Sequence, residues 1–145
     1  MNSILISACL LGRDCKYSGG NNALSGEVLS ALREKYKLVP VCPEEDGGLP
    51  TPRDPSERIG ERVMSIAGRD VTAEYKTGAE IALRLAKENG CQVALMKEQS
   101  PSCGSGIIYD GTFSGRLIPG YGVAAELLKA NGIEVIGESQ VKELI

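Results

Sequence analysis

Residues 4–9 read Ile4-Leu5-Ile6-Ser7-Ala8-Cys9, a short apolar run that delivers a cysteine at its carboxyl end. The arrangement recurs twice. Lys37-Leu38-Val39-Pro40-Val41 runs into Cys42, and Val93-Ala94-Leu95-Met96 precedes the glycine-bounded loop Ser100-Pro101-Ser102-Cys103-Gly104-Ser105-Gly106. Short apolar runs bounded by turn formers are the pattern of strands buried on both faces. If the three strands are parallel, their thiols converge on one edge of one sheet, where open α/β folds place their ligands.

The segments between these runs supply the helices. Ser25 caps a helix predicted over 26–36, with Leu29, Leu32 and Tyr36 on one stripe. Thr72 is read as the cap of the clearest helix, Ala73 to Asn89, in which Ala79, Ala82, Leu83 and Ala86 share a face and Gly90 follows the end. A third helix follows Gly122, with Ala124, Leu127 and Leu128 on one face, and Asn131-Gly132 closes it. Ile133 to Ile136 reads as a fourth strand, and Ser139 opens a short terminal helix. The stretch from Pro43 to Gly60 holds four prolines and is predicted to be an ordered loop without helix or strand. Two hairpins are expected, one pairing Val63–Ile66 with Val71–Thr72 and one turning at Asp110-Gly111 between Ile107–Tyr109 and Thr112–Phe113. The predicted fold is α/β: a Rossmann-like, open, mainly parallel sheet of about four strands with helices on both faces and a small hairpin.

With 145 residues and 42% hydrophobic content, the chain is expected to form one domain over residues 1–145. A net charge of -3 argues against a basic nucleic-acid surface. No apolar run of membrane-spanning length occurs, and Met1-Asn2-Ser3-Ile4 does not open a signal peptide, so a cytoplasmic location is expected. Neither the dinucleotide-binding glycine fingerprint nor a phosphate-binding Gly-Lys-Ser/Thr loop appears. Histidine is absent altogether, which removes every His-containing triad and the usual general base.

Five cysteines in such a chain point to metal binding or catalysis rather than disulfides. Taken singly, Cys9, Cys42 and Cys103 read as packed thiols. Taken together, after three strands, they form a cradle for an iron-sulfur cluster whose fourth iron has no protein ligand and is free to act as a Lewis acid. Cys15 reads as a fourth ligand or a spare thiol, and Cys91, ahead of the third strand, as structural. Glu44 follows Cys42 by two residues and is the leading general acid/base candidate. Ser100 and Ser102 are placed to donate hydrogen bonds to substrate or cluster sulfur. Lys97 and Arg53 offer positive charge to an anionic substrate or cluster.

Ser7-Ala8-Cys9-Leu10-Leu11-Gly12, Cys42-Pro43-Glu44, Pro52-Arg53, Ser100-Pro101-Ser102-Cys103-Gly104 and Tyr109-Asp110-Gly111-Thr112-Phe113 resemble the former domain-of-unknown-function family that includes the thiouracil desulfidases. The chain departs from it at Tyr17-Ser18-Gly19-Gly20, where the family often carries Asp in place of Ser18. The resemblance implies a 4Fe-4S cluster held by Cys9, Cys42 and Cys103, with the open iron binding sulfur from a thiolated nucleobase. It also implies catalytic or substrate-positioning roles for Glu44 and Ser100. The expected function is redox-neutral hydrolytic desulfuration of a base such as 2-thiouracil, with a small-molecule partner rather than nucleic acid or membrane. The rival readings are a non-enzymatic iron-sulfur or sulfide carrier and, third, a redox sensor using Cys9 and Cys15.

Overall fold

A computed structural model describes all 145 residues. Its centre is a four-stranded, all-parallel sheet. The strands are β1 (Asn2–Ser7), β2 (Tyr36–Val41), β5 (Val93–Met96) and β8 (Glu134–Gly137), in the order β2-β1-β5-β8. The chain leaves β1 for β2 on one side and later returns to β5 on the other, so the connections diverge between β1 and β5. Such a switch point opens a crevice at the carboxyl ends of the strands. The register aligns those ends, with Ser7 opposite Val41, and Met96 one residue beyond the Ile6–Leu95 pair. Pro40 is tolerated because β2 is an edge strand.

Side-chain alternation along β1 separates two apolar layers. Leu5 faces α3 (Thr72–Glu88) and α4 (Val123–Ala130), where it packs with Ala79, Ala82, Ala86, Ala124 and Leu128. Ile4 and Ile6 face the other way, toward Leu32 of α1 (Gly26–Lys35), Leu10 and Val141 of a terminal 3-10 turn. Leu5 and Ile6 are wholly inaccessible, and each such side chain contributes roughly 1.5–3 kcal/mol relative to exposure. Helices thus cover both faces, as the strand and helix pattern predicts.

The Pro43–Gly60 stretch differs from the expected loop. Pro43–Asp46 forms one helical turn, α2, with Pro43 in the first turn, where its missing N–H would be unpaired anyway. Ser56–Ile59 then forms β3, which pairs antiparallel with β4 (Arg62–Ser65). The expected partner of β4, Val71–Thr72, is not a strand. What remains there is a Met64–Asp70 bridge and one bond from Val71 N–H to the Val63 carbonyl, because the turn at Gly60 gives β4 a closer neighbour in β3. Thr72 is also not the cap of α3, which begins after Val71. Its hydroxyl accepts the Val63 N–H instead, and Asp70 takes the Thr72 N–H.

The second hairpin pairs β6 (Ser105–Tyr109) with β7 (Leu117–Tyr121), and residues 110–116 form its loop. Asp110-Gly111 is therefore not a two-residue turn. The Thr112 and Phe113 amides bond to the side chains of Asp110 and Glu57, so they are unavailable to a strand ladder. The terminal helix is a 3-10 turn over Glu138–Glu143. No helix is long and apolar enough to cross a membrane.

Candidate active site

The crevice at the switch point is a cavity of about 440 Å³ whose lining includes Cys9, Cys42 and Cys103. Each thiol is placed by a different connection. Cys9 lies in a 3-10 turn, Ala8–Leu11, directly after β1. Cys42 caps α2, and its N–H donates to Asp46 Oδ2 at 3.3 Å. Cys103 closes a turn in which Ser100 Oγ accepts the amides of Ser102 and Cys103, both at 3.1 Å. All five cysteines are free and buried.

Desolvation dominates the chemistry of two of these thiols. Burial pushes the Cys9 thiol up, with Lys97 and a bond to Asn22 opposing it. Burial likewise pushes Cys103 up to about 12, against hydrogen bonds to Ser7 and Ser102. Without a cation both sulfurs hold their protons, and a soft metal that displaced them would compensate the cost of burying thiolate. Cys42 is held below the ordinary thiol value, chiefly by a hydrogen bond from Cys15, and Cys15 is raised by the same bond.

Cys15, Cys42 and Glu45 offer ligand atoms within 4.8 Å of one another. The three could hold a metal ion, but this donor set contains only two thiols and differs from the expected trio. Cys15 shares a side-chain hydrogen bond with Cys42, whose Sγ lies 3.7 Å from the Cys15 carbonyl oxygen, and Cys9 is near enough for its charge to act on Cys15 as well. Cys91 sits at the amino end of β5, outside the cavity lining.

Glu44 occupies the cavity wall between a cation and two hydroxyls. Its Oε1 receives Arg53 Nη2 at 3.0 Å and Nε at 3.1 Å, while its Oε2 accepts Ser102 Oγ at 2.8 Å. Ser100 Oγ lies 2.9 Å from Ser102 Oγ. Because Ser100 Oγ already accepts two amides and Ser102 gives its proton to Glu44, the Ser100 proton points to Ser102. The result is a directed chain from Ser100 through Ser102 to Glu44, next to Cys103.

Arg53 does not present free donors to the cavity. Its remaining bonds go to the carbonyls of Pro50 and Cys15 and to Thr51. Lys97 also lines the cavity, with Nζ 2.8 Å from Glu138 and 3.1 Å from the Glu98 carbonyl.

Two residues not anticipated from the sequence support this wall, Ser7 within the lining and Tyr75 behind it. Ser7 Oγ accepts the Lys97 N–H at 2.9 Å and donates to Met96 Sδ, tying the ends of β1 and β5. A serine ending an apolar strand was the available signal. Tyr75, on α3, lies buried beneath Glu44, and burial followed by the Glu44 charge raises its hydroxyl above the usual value. No local pattern marks it.

α2 carries Glu44 only because two glycines admit its backbone. A Cβ on Gly78 of α3 would stand 1.8 Å from the Pro43 carbonyl oxygen, and one on Gly47 would stand 2.0 Å from that of Glu74.

A parallel α/β sheet whose switch-point cavity gathers buried thiols and a held carboxylate defines a thiol-lined, metal-binding α/β protein. The comparisons place it more narrowly. A sequence profile described as 2-thiouracil desulfurase matches residues 4–140, and the chain belongs to that family. The chain is 43% identical over 152 aligned positions to the uncharacterized protein YbbK of Bacillus subtilis strain 168, covering 98% of this chain and 99% of that protein. It is also similar to the solved structure of the 4Fe-4S-dependent thiouracil desulfidase TudS, with a TM-score of 0.95 and 47% identity over 99% of this chain and 95% of that one.

Proposed function

We propose that this chain is an iron-sulfur-dependent desulfidase. It replaces the thiocarbonyl sulfur of a thiolated nucleobase such as 2-thiouracil with oxygen from water. Whole-length similarity to the solved thiouracil desulfidase supports the class. The observation that carries the mechanism is the Ser100–Ser102–Glu44 chain beside Cys103, since a carrier protein needs no carboxylate held in this way.

The residues fit a 4Fe-4S cluster held by Cys9, Cys42 and Cys103, which leaves one iron without a protein ligand. The donors are soft sulfurs from three connections, buried and free of disulfides. A cluster is larger than one ion, and its cysteines bind different irons, so they stand farther apart than the ligands of a single metal. The tighter Cys15–Cys42–Glu45 grouping is therefore not the arrangement a cluster requires. When bound, the cluster supplies Lewis-acid polarisation of the carbon–sulfur bond.

The remaining chemistry belongs to the protein. Water adds its oxygen to the thiocarbonyl carbon, the carbon–sulfur bond breaks, and sulfur leaves as hydrosulfide with no change in oxidation state. Glu44 takes the proton released by water and returns it to the departing sulfur, while Ser102, with Ser100 donating to it from behind, holds Glu44 Oε2 in place. Arg53 keeps Glu44 aimed at Ser102, and Lys97, paired with Glu138, brings positive charge to the wall beside Cys9.

The test is anaerobic reconstitution with iron and sulfide, followed by sulfide release from a panel of thiolated pyrimidines and nucleosides. Visible absorbance of the reconstituted cluster together with sulfide release is expected. A reconstituted protein that releases no sulfide from any of them would overturn the enzymatic reading.

A further inference from the structure

The mouth of the cavity holds a side chain that the chemistry at its floor does not use. Phe113 is the sole phenylalanine of the chain, and it lines the cavity from the loop between β6 and β7. Its backbone lies at φ 56°, in the left-handed region that bulky residues seldom adopt. Such a conformation persists only where the surroundings enforce it.

Here the enforcing group is Glu57 on β3. It is 9% exposed, and one of its carboxylate oxygens accepts the Gly111 N–H at 2.9 Å and the Phe113 N–H at 3.1 Å. Asp110 secures the residue between them by taking the Thr112 amide and hydroxyl. Gly111 lies so close to the first hairpin that a Cβ would stand 2.3 Å from Ile59 Cγ1. The loop is thus pinned against a second element of the fold, and a buried charged group is committed to two of its amides. That is a large commitment for an otherwise exposed turn.

Two more apolar side chains line the same cavity and remain open to solvent. Tyr17 and Ile66 line it while 48% and 57% exposed, and the Tyr17 carbonyl is held by the Arg53 amide at 2.8 Å. A flat heterocycle that points its thiocarbonyl edge at the thiols leaves its two ring faces to be covered higher in the cavity. Aromatic side chains cover such faces favourably whatever the base.

We propose that Phe113 is a substrate-recognition residue that stacks on the ring face of the thiolated base, and that Glu57 is the positioning residue that holds it there. The inference rests on the desulfidase reading for the direction in which the base enters.

The experiment compares reconstituted wild type with Phe113→Ala, Phe113→Leu, Phe113→Tyr, Glu57→Ala and Glu57→Gln. It reads kcat and KM for 2-thiouracil, binding of uracil by equilibrium dialysis, and cluster absorbance as the check on folding. Phe113→Leu keeps apolar bulk without the aromatic face, so it serves if the alanine variant does not fold. Loss of the ring should raise KM and weaken uracil binding about ten-fold with kcat little changed, the order of one base–aromatic stack. Phe113→Tyr should restore both values. Glu57→Ala should behave like Phe113→Ala, while Glu57→Gln, which keeps an oxygen acceptor, should stay near wild type.

Unchanged KM and uracil binding in Phe113→Leu, with the absorbance intact, overturn the proposal. Phe113-dependent uracil binding without sulfide release from the wild type would support the stack and sink the desulfidase reading. Sulfide release that is indifferent to Phe113 would do the reverse.

Discussion

Arg53 grips Glu44 by one oxygen only: Nη2 and Nε reach Oε1 at 3.0 and 3.1 Å, which leaves Oε2 to Ser102. The geometry fixes the carboxylate plane as well as its charge. A lysine in place of Arg53 brings a point charge without the planar fork and cannot also hold the Cys15 carbonyl. Arg53→Lys is expected to lower kcat by roughly ten-fold or more with little change in KM. Steady-state kinetics with cluster content checked in parallel measure it, and an unchanged kcat would remove Arg53 from the mechanism.

Glu44→Gln separates proton transfer from architecture. Glutamine retains an oxygen for Ser102 but cannot take up a proton. The expected result is a fall in kcat of about 10²–10⁴-fold with undiminished visible absorbance. A fully active variant would transfer the acid/base role to another group.

These two side chains show what could be read before the fold was known. Cys42, Pro43 and Glu44 are adjacent in sequence, so any structure that ends β2 near Val41 brings the carboxylate beside the thiol. The Ser100–Cys103 turn is equally local. What was not legible is whatever depends on contact across the chain. Tyr75 reaches Glu44 from α3, Glu57 reaches Phe113 from another hairpin, and Cys15 meets Cys42. The strand misassignments share a cause. Val63–Ile66 could pair on either side, and Asp110-Gly111 has the composition of a tight turn, but Glu57 takes the amides that such a hairpin would need.

Gly78 tests how closely catalysis depends on helix packing. In an isolated helix, Gly→Ala is stabilising by up to about 1 kcal/mol. At this position the added methyl would collide with the Pro43 carbonyl oxygen at 1.8 Å and displace the turn that carries Cys42 and Glu44. Gly78→Ala is therefore expected to destabilise by about 1–3 kcal/mol and to reduce iron bound per chain. Denaturant unfolding and iron analysis give the sign directly, and a more stable variant would contradict the close approach.

The cysteines divide into two groups with different expected behaviour. Cys9→Ser, Cys42→Ser and Cys103→Ser should each abolish the iron-sulfur absorbance after reconstitution. Cys91→Ser should retain it, because Cys91 lies at the opposite end of β5. Cys15→Ser should retain it as well. Loss of the cluster in Cys15→Ser, with retention in Cys9→Ser, would move the metal to the Cys15–Cys42–Glu45 group.

Tyr75 gives the alkaline limit of the fold. Burial and then the neighbouring Glu44 charge raise its hydroxyl above the ordinary value of 10.0, so the folded chain holds a proton that the unfolded chain releases at lower pH. The associated stability is complete below the unfolded value and is lost as pH rises from there toward the folded one. Wild type should therefore lose stability steadily above a pH of about 10. Tyr75→Phe should cost on the order of 1 kcal/mol at neutral pH but show a shallower decline in alkali. Urea midpoints for both proteins between neutral and strongly alkaline pH decide it: parallel curves would mean that Tyr75 ionisation does not limit the fold, whereas curves that converge as pH rises assign the loss to this hydroxyl beneath Glu44.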